Sequence, residues 1–234
     1  MLRIEDLNAY YGQSHVLQGV SLEVKSKEIV SLIGRNGAGK TTILKSIMGI
    51  EVCRTGHVEF QKEDITRYKT HAIAKKGIAF VPEDRRIFAN LSVRENLNLG
   101  MLYIDKKERS STLDEVLSYF PVLGERLAQK GGSMSGGEQQ MLAVARALVS
   151  KPRLMLIDEP SEGLMPMIVD KLVEAIKHAN RNGVTILIVE QNVELVLLEL
   201  GGRVYIVNQG TIPFSGDAAT ILANEETKQK FLLV

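Results

Sequence analysis

Gly34-Arg35-Asn36-Gly37-Ala38-Gly39-Lys40-Thr41-Thr42 sets glycines at both ends of a six-residue span and follows the second with lysine and threonine. This is the P-loop pattern, and phosphate chemistry explains its spacing. Glycines let backbone N–H groups converge on phosphate oxygens, and a helix opening at Lys40 turns its positive end toward the same anion. Lys40 is placed to reach the β- and γ-phosphates of a nucleotide, and Thr41 offers a hydroxyl of the kind that coordinates Mg²⁺. A plain glycine turn between a strand and a helix has the same outline, so context decides. Ile29-Val30-Ser31-Leu32-Ile33 reads as a buried strand before the loop, and Ile43, Leu44 and Ile47 share one helical face after it.

Outward from this unit, strands and helices alternate. Val16, Val20, Leu22 and Val24 keep a period of two, and Lys25 to Glu28 is a charged turn. Ile78 to Val81 reads as another strand. From about Asp84 to Ser150 the texture is helical: Ser92 and Glu95 are spaced as a capping box before a helix through Leu97 and Leu99, and Asp105 to Phe120 reads as a helix halted by Pro121. Leu154 to Ile157 is a short apolar strand. A helix from Pro166 buries Ile168, Val169, Leu172, Val173 and Ile176, and Val184 to Val189 is the next strand. Arg203 to Asn208 and Thr211 to Ser215 form a closing hairpin before short C-terminal helices. The expected fold is α/β: a P-loop NTPase core with a mostly parallel sheet, an antiparallel β subdomain and an inserted helical subdomain. Residues 1–83 and 151–234 would form the core with the β subdomain, and about 84–150 the helical insertion.

Composition narrows the class. The 234 residues carry 29 Lys plus Arg against 28 Asp plus Glu, a formal net charge of +1, and 44% are hydrophobic. A disordered chain and a strongly basic nucleic-acid binder are both disfavoured by that balance. Cys53 is the single cysteine, and His15, His57, His71 and His178 lack metal-ligand spacing, so neither an internal disulfide nor a cysteine-rich zinc site is expected. That cysteine usage points to a reducing, cytosolic setting, and the opening residues lack a secretory pattern, so export has no support. Val184 to Val189 is far shorter than the roughly 20 residues of a spanning helix, so any membrane role comes through a partner.

A nucleotide hydrolase also needs carboxylates at the end of a neighbouring buried strand. Leu154-Met155-Leu156-Ile157-Asp158-Glu159 has that form, with Asp158 placed for Mg²⁺ and Glu159 as general base on the attacking water. An ordinary acidic strand end has the same outline. Nucleotide kinases and GTPases share these two motifs, so the class stays open until Ser135-Gly136-Gly137-Glu138-Gln139-Gln140. Ser135 and Glu138 are spaced as a capping box, and two glycines leave N–H groups uncovered at a helix start. With Met134 before it, this run resembles the signature motif of ATP-binding-cassette (ABC) ATPases, methionine standing where leucine is common.

The resemblance covers essentially the whole chain. It implies ATP and Mg²⁺ as cofactors, held by Gly34 to Thr42 with Thr41 and Asp158 on the metal. It further implies a head-to-tail pair of cassettes, homo- or heterodimeric, in which Ser135, Gly136, Gly137 and Glu138 meet the ATP of the partner subunit. Tyr11 resembles the aromatic that stacks on adenine, although a core or surface tyrosine is an alternative. Ser161, Glu162, Gly163 and Leu164 resemble the D-loop. Two positions depart from the family pattern: Glu83 stands at the Q-loop glutamine, and Gln191 at the switch histidine, where it can donate a hydrogen bond but cannot titrate. The runs around Glu83, Arg85 to Phe88 and Val189 to Asn192 are similar to the second ATPase of branched-chain amino acid importers, whose relatives serve urea and short amides. Integral permease subunits, a solute-binding receptor acting indirectly, no nucleic acid, and a peripheral place on the cytoplasmic face of the cell membrane follow as expectations. The alternatives are a lipid-exporting ABC system, a non-transport ABC ATPase and a P-loop kinase.

Overall fold

The computed structural model describes residues 1–223. Along the chain run β1 (Leu2–Tyr11), β2 (Ser14–Val24), β3 (Ile29–Ile33), α1 (Lys40–Met48), β4 (Cys53–Phe60), β5 (Glu63–Asp64), α2 (Thr70–Lys75) and β6 (Ile78–Val81). Four helices follow: α3 (Val93–Gly100), α4 (Arg109–Tyr119), α5 (Pro121–Glu125) and α6 (Gly136–Leu148). Then come β7 (Leu154–Asp158), α7 (Pro166–Arg181), β8 (Thr185–Glu190), β9 (Arg203–Asn208), β10 (Thr211–Asp217) and α8 (Ala218–Ala223).

Two sheets organise these elements. The four-stranded one, in order β2-β1-β4-β5, is antiparallel. The six-stranded one, in order β10-β9-β3-β8-β7-β6, is parallel except at the β9–β10 hairpin on its edge. Both faces of the larger sheet are covered, and the sequence encodes this as unbroken apolar runs. On β7, β8 and β9, Leu154, Leu156, Leu187, Val189, Tyr205 and Val207 pack toward α1 and the antiparallel sheet. Their alternating neighbours, among them Met155, Ile157, Ile186 and Ile188, pack toward α7 and the helices between β6 and β7.

Both capping boxes form. Ser92 Oγ accepts from the Glu95 N–H at 3.2 Å, and the Glu95 carboxylate accepts from the Ser92 N–H at 2.8 Å. Two expectations in this region change. The helix foreseen from Asp105 begins at Arg109, because the Asp105 side chain accepts from the Lys107 N–H at 3.1 Å and draws the chain into a turn. Pro121 does not merely halt it; as the first residue of α5 it needs no N–H and starts the next turn. Sequence periodicity also gives no warning of the π-helical turn Leu195–Leu200, closed by Gly201 N–H donating to Val196 O at 2.9 Å. Of the short C-terminal helices, α8 is seen and the remainder lies outside the described residues.

Candidate nucleotide site

Strand order puts the site together. β8 lies between β3 and β7, with Ile33 opposite Glu190 and Asp158 opposite Val189, so the carboxyl ends of all three strands finish side by side. Ligands of open α/β sheets bind in the crevice at such strand ends. Here the crevice is a cleft of about 360 Å³ lined by Asn36, Gly37, Gly39, Lys40, Thr41, Thr42, Glu83, Glu159, Glu162 and Gln191, with Val16 from β2.

The glycines of the loop are required by geometry. A Cβ on Gly34 would stand 2.2 Å from the Val207 carbonyl oxygen, a backbone contact that cannot yield. Gly39 caps α1 at φ 107° and offers no side chain to the helix N–H groups, which stay available to an anion. Lys40 is buried. Its ammonium donates to the carbonyls of Gly34 at 2.8 Å and Arg35 at 3.1 Å, and pairs with Glu159 Oε1 at 3.2 Å. Gln191 Nε2 donates to the other oxygen of Glu159. Glu159 itself sits at φ 44°, an uncommon conformation for a non-glycine residue, fixed by its N–H donating to Val189 O at 2.9 Å.

Thr41 Oγ1 donates to Asp158 Oδ1 at 3.0 Å. This oxygen pair suits a hard cation, since Mg²⁺ takes one or two carboxylates with hydroxyl, water and phosphate oxygens rather than a full protein cage. Among the described residues, no group of three or more His, Cys, Asp or Glu is gathered for a metal. Burial pushes the Asp158 carboxyl up to about 6, helped by the charges of Glu159 and Glu83 and opposed by the Thr41 bond. A raised folded value means the folded state holds this proton more tightly than the unfolded chain. The stabilising contribution is full below about pH 4 and is lost as pH rises through about 6. Metal- and nucleotide-free Asp158→Asn should therefore be more stable than wild type at pH 7.5, by up to about 3 kcal/mol, with about half of that advantage left at pH 5 and little below about pH 4. Urea unfolding across this range checks it; equal stability at pH 7.5 contradicts it.

Other foreseen residues fall in different places. Glu162 lines the cleft, and a hydrogen bond with Glu159 holds its carboxyl above the usual range, whereas Ser161 turns away toward Glu190. Ser135 and Glu138 cap α6, with the Glu138 carboxylate accepting from the Ser135 N–H at 2.9 Å, and none of residues 135–138 lines the cleft. Tyr11 ends β1 with its ring exposed and is not among the lining residues either. Two residues escaped sequence reading. Val16 reads only as one more strand position until β2 folds over the loop. Glu190 hides at the end of an apolar strand, where the structure buries it completely.

An ABC transporter family model matches residues 17–162. The high-affinity branched-chain amino acid transport ATP-binding protein BraG of Pseudomonas aeruginosa is 44% identical over 99% of this chain and 99% of its own. The lipopolysaccharide export system ATP-binding protein LptB of Escherichia coli K12 is 36% identical over 99% of this chain and 96% of its own. A solved ATP binding subunit of an ABC transporter superimposes with a TM-score of 0.84 at 26% identity, covering 97% of this chain and 94% of that one. A glycine loop holding a buried lysine, carboxylates at the end of β7 and a match along the full length agree with one another: the chain belongs to the ABC transporter family, as an ATP-hydrolysing transporter ATPase.

Proposed function

We propose that this ATPase powers an importer of branched-chain amino acids from the cytoplasmic face of the membrane, paired with a second cassette and docked on integral permease subunits. The observation that carries the chemistry is the contact of Lys40 and Gln191 with the two oxygens of Glu159 at the mouth of the glycine loop. The cargo reading rests on the 44% identity to BraG, against 36% to LptB. No described helix is long and apolar enough to cross a membrane, in keeping with permease partners that supply the path.

ATP enters with its phosphates against the loop N–H groups and the Lys40 ammonium, which exchanges Glu159 for phosphate oxygens. Thr41 and Asp158 would hold Mg²⁺, which when bound would supply positive charge against the phosphates. Glu159, released from Lys40, accepts the proton of the attacking water. Gln191 keeps a hydrogen-bond donor on Glu159 or the γ-phosphate and carries no proton of its own through the cycle. Ser135 to Glu138 complete the partner's site, and Ser161 to Leu164 form the D-loop between the two. Tyr11 is assigned to the adenine side of the paired assembly. The helical segment of about residues 84–150 moves against the core when the pair closes, with Glu83 and the loop to Phe88 as the link to the permease.

Membrane vesicles containing the chain with its co-purifying permease test the cargo directly. ATP-driven uptake of leucine, isoleucine or valine is expected. Uptake of urea or short amides, or release of lipopolysaccharide, with no branched-chain amino acid transport, would replace the reading.

A further inference from the structure

Glu190 has no part in the chemistry above, yet it is 1% exposed and fully engaged. Its carboxylate accepts from the Ser161 N–H at 3.2 Å and from the Ser161 hydroxyl at 2.9 Å. Burial pushes its carboxyl above the usual range, opposed by the Ser161 bonds and by the nearby backbone N–H groups of Asn192 and Gln191. Ile188, Leu172 and Leu195 stand around it. A charge in such a place persists only when its lone pairs are satisfied.

The neighbours of Glu190 give this arrangement a direction. Val189 O accepts from the Glu159 N–H, and Gln191 donates to the Glu159 carboxylate. Three consecutive residues at the end of β8 thus grip the Glu159–Ser161 stretch at three points. Glu190 is also the register partner of Ile33, the residue before the glycine loop. Any shift of Gln191 when phosphate arrives has a rigid, buried path to Ser161.

The geometry points to Glu190 as a positioning residue: it locks the Ser161 loop to the strand end that carries Gln191, so that the two move as one. This rests on the reading of Glu159 as the base and Ser161 to Leu164 as the D-loop. The lock acts after ATP is bound, so it governs turnover and not nucleotide affinity. A carboxylate that only satisfied a buried loop would affect melting temperature and leave the folded enzyme's rate alone.

Steady-state MgATP hydrolysis by the full chain separates these. Glu190→Ala should lower kcat at least ten-fold with KM within three-fold of wild type, and Glu190→Gln, whose amide oxygen still accepts from Ser161, should return kcat to within three-fold. Glu190→Ala with Ser161→Ala should be no slower than Glu190→Ala alone by more than two-fold, since the hydroxyl contact that Ser161→Ala removes is already lost in Glu190→Ala. Wild-type kcat in folded Glu190→Ala, a change in KM alone, or multiplying losses in the double variant would overturn the lock. Should Glu190→Ala not fold, Ser161→Ala alone and combined with Glu190→Gln decides by the same comparison. If the wild-type chain fails to hydrolyse MgATP, the reading of the site falls and this inference with it. If wild type turns over, Glu159→Gln does not and Glu190→Ala does, only the inference falls.

Discussion

Glu159→Gln is expected to bind MgATP at least as tightly as wild type and to hydrolyse it roughly 100- to 10,000-fold more slowly, the span that a positioned general base contributes. The substitution is nearly isosteric, and what fixes the residue survives it. The backbone remains at φ 44° with its N–H on Val189 O, and a glutamine oxygen can still accept from Gln191. What disappears is the ability to take a proton and the ion pair with Lys40 at 3.2 Å. ATP no longer has to displace a carboxylate from Lys40, so binding is not weakened. On the proposed cycle, in which hydrolysis separates the two cassettes, the variant with MgATP should accumulate as a dimer, visible in light scattering during size exclusion. Turnover near the wild-type rate would remove Glu159 from the role of base.

The parts of this site legible in the sequence are those that lie within one short run. Gly34 to Thr42 declares itself because strand, turn and helix are contiguous and each residue type has a local reason. Asp158 and Glu159 are legible for the same reason, standing at the end of four apolar residues, Leu154 to Ile157. Contributions that depend on sheet order are not. Nothing local marks Val16 as cleft-lining, since that requires β2 to cross the glycine loop, as the Gln18 N–H donating to Gly210 O at 2.8 Å and Gly210 N–H to Ala38 O at 2.9 Å show. Glu190 looks like a charged strand end until β7 brings Ser161 beside it. Tyr11 shows the reverse difficulty: an aromatic read by family analogy lies at an exposed strand end in the single chain. Secondary structure follows the same rule. Both capping boxes are local and form as read, whereas the start of α4 is set by the Asp105 side chain, which offers the backbone a turn in place of a helix.

Charge balance in the cleft makes Lys40→Ala the complementary experiment, and its expected result is loss of ATP binding by at least about 100-fold. Among the described residues, Lys40 is the one basic side chain lining the cleft, which is also lined by Glu83, Glu159 and Glu162. Without it an arriving triphosphate meets three carboxyl groups and no side-chain cation. Hydrogen bonds from a charged donor are worth about 1.5–3 kcal/mol each, so losing two phosphate contacts costs about 3 kcal/mol or more, a factor of at least about 100 in affinity. ADP should suffer less, because a P-loop lysine at Lys40 would reach both the β- and γ-phosphates and only one of those contacts exists for the diphosphate. Calorimetric titration with ATP and ADP reads both effects, and an ATP affinity within ten-fold of wild type would contradict them. The two substitutions act on opposite sides of a single ion pair. Removing the anion frees the lysine for phosphate and stops chemistry; removing the cation leaves the carboxylate in place and stops binding. A site in which the Lys40–Glu159 pair merely stabilised the fold would give similar phenotypes for both.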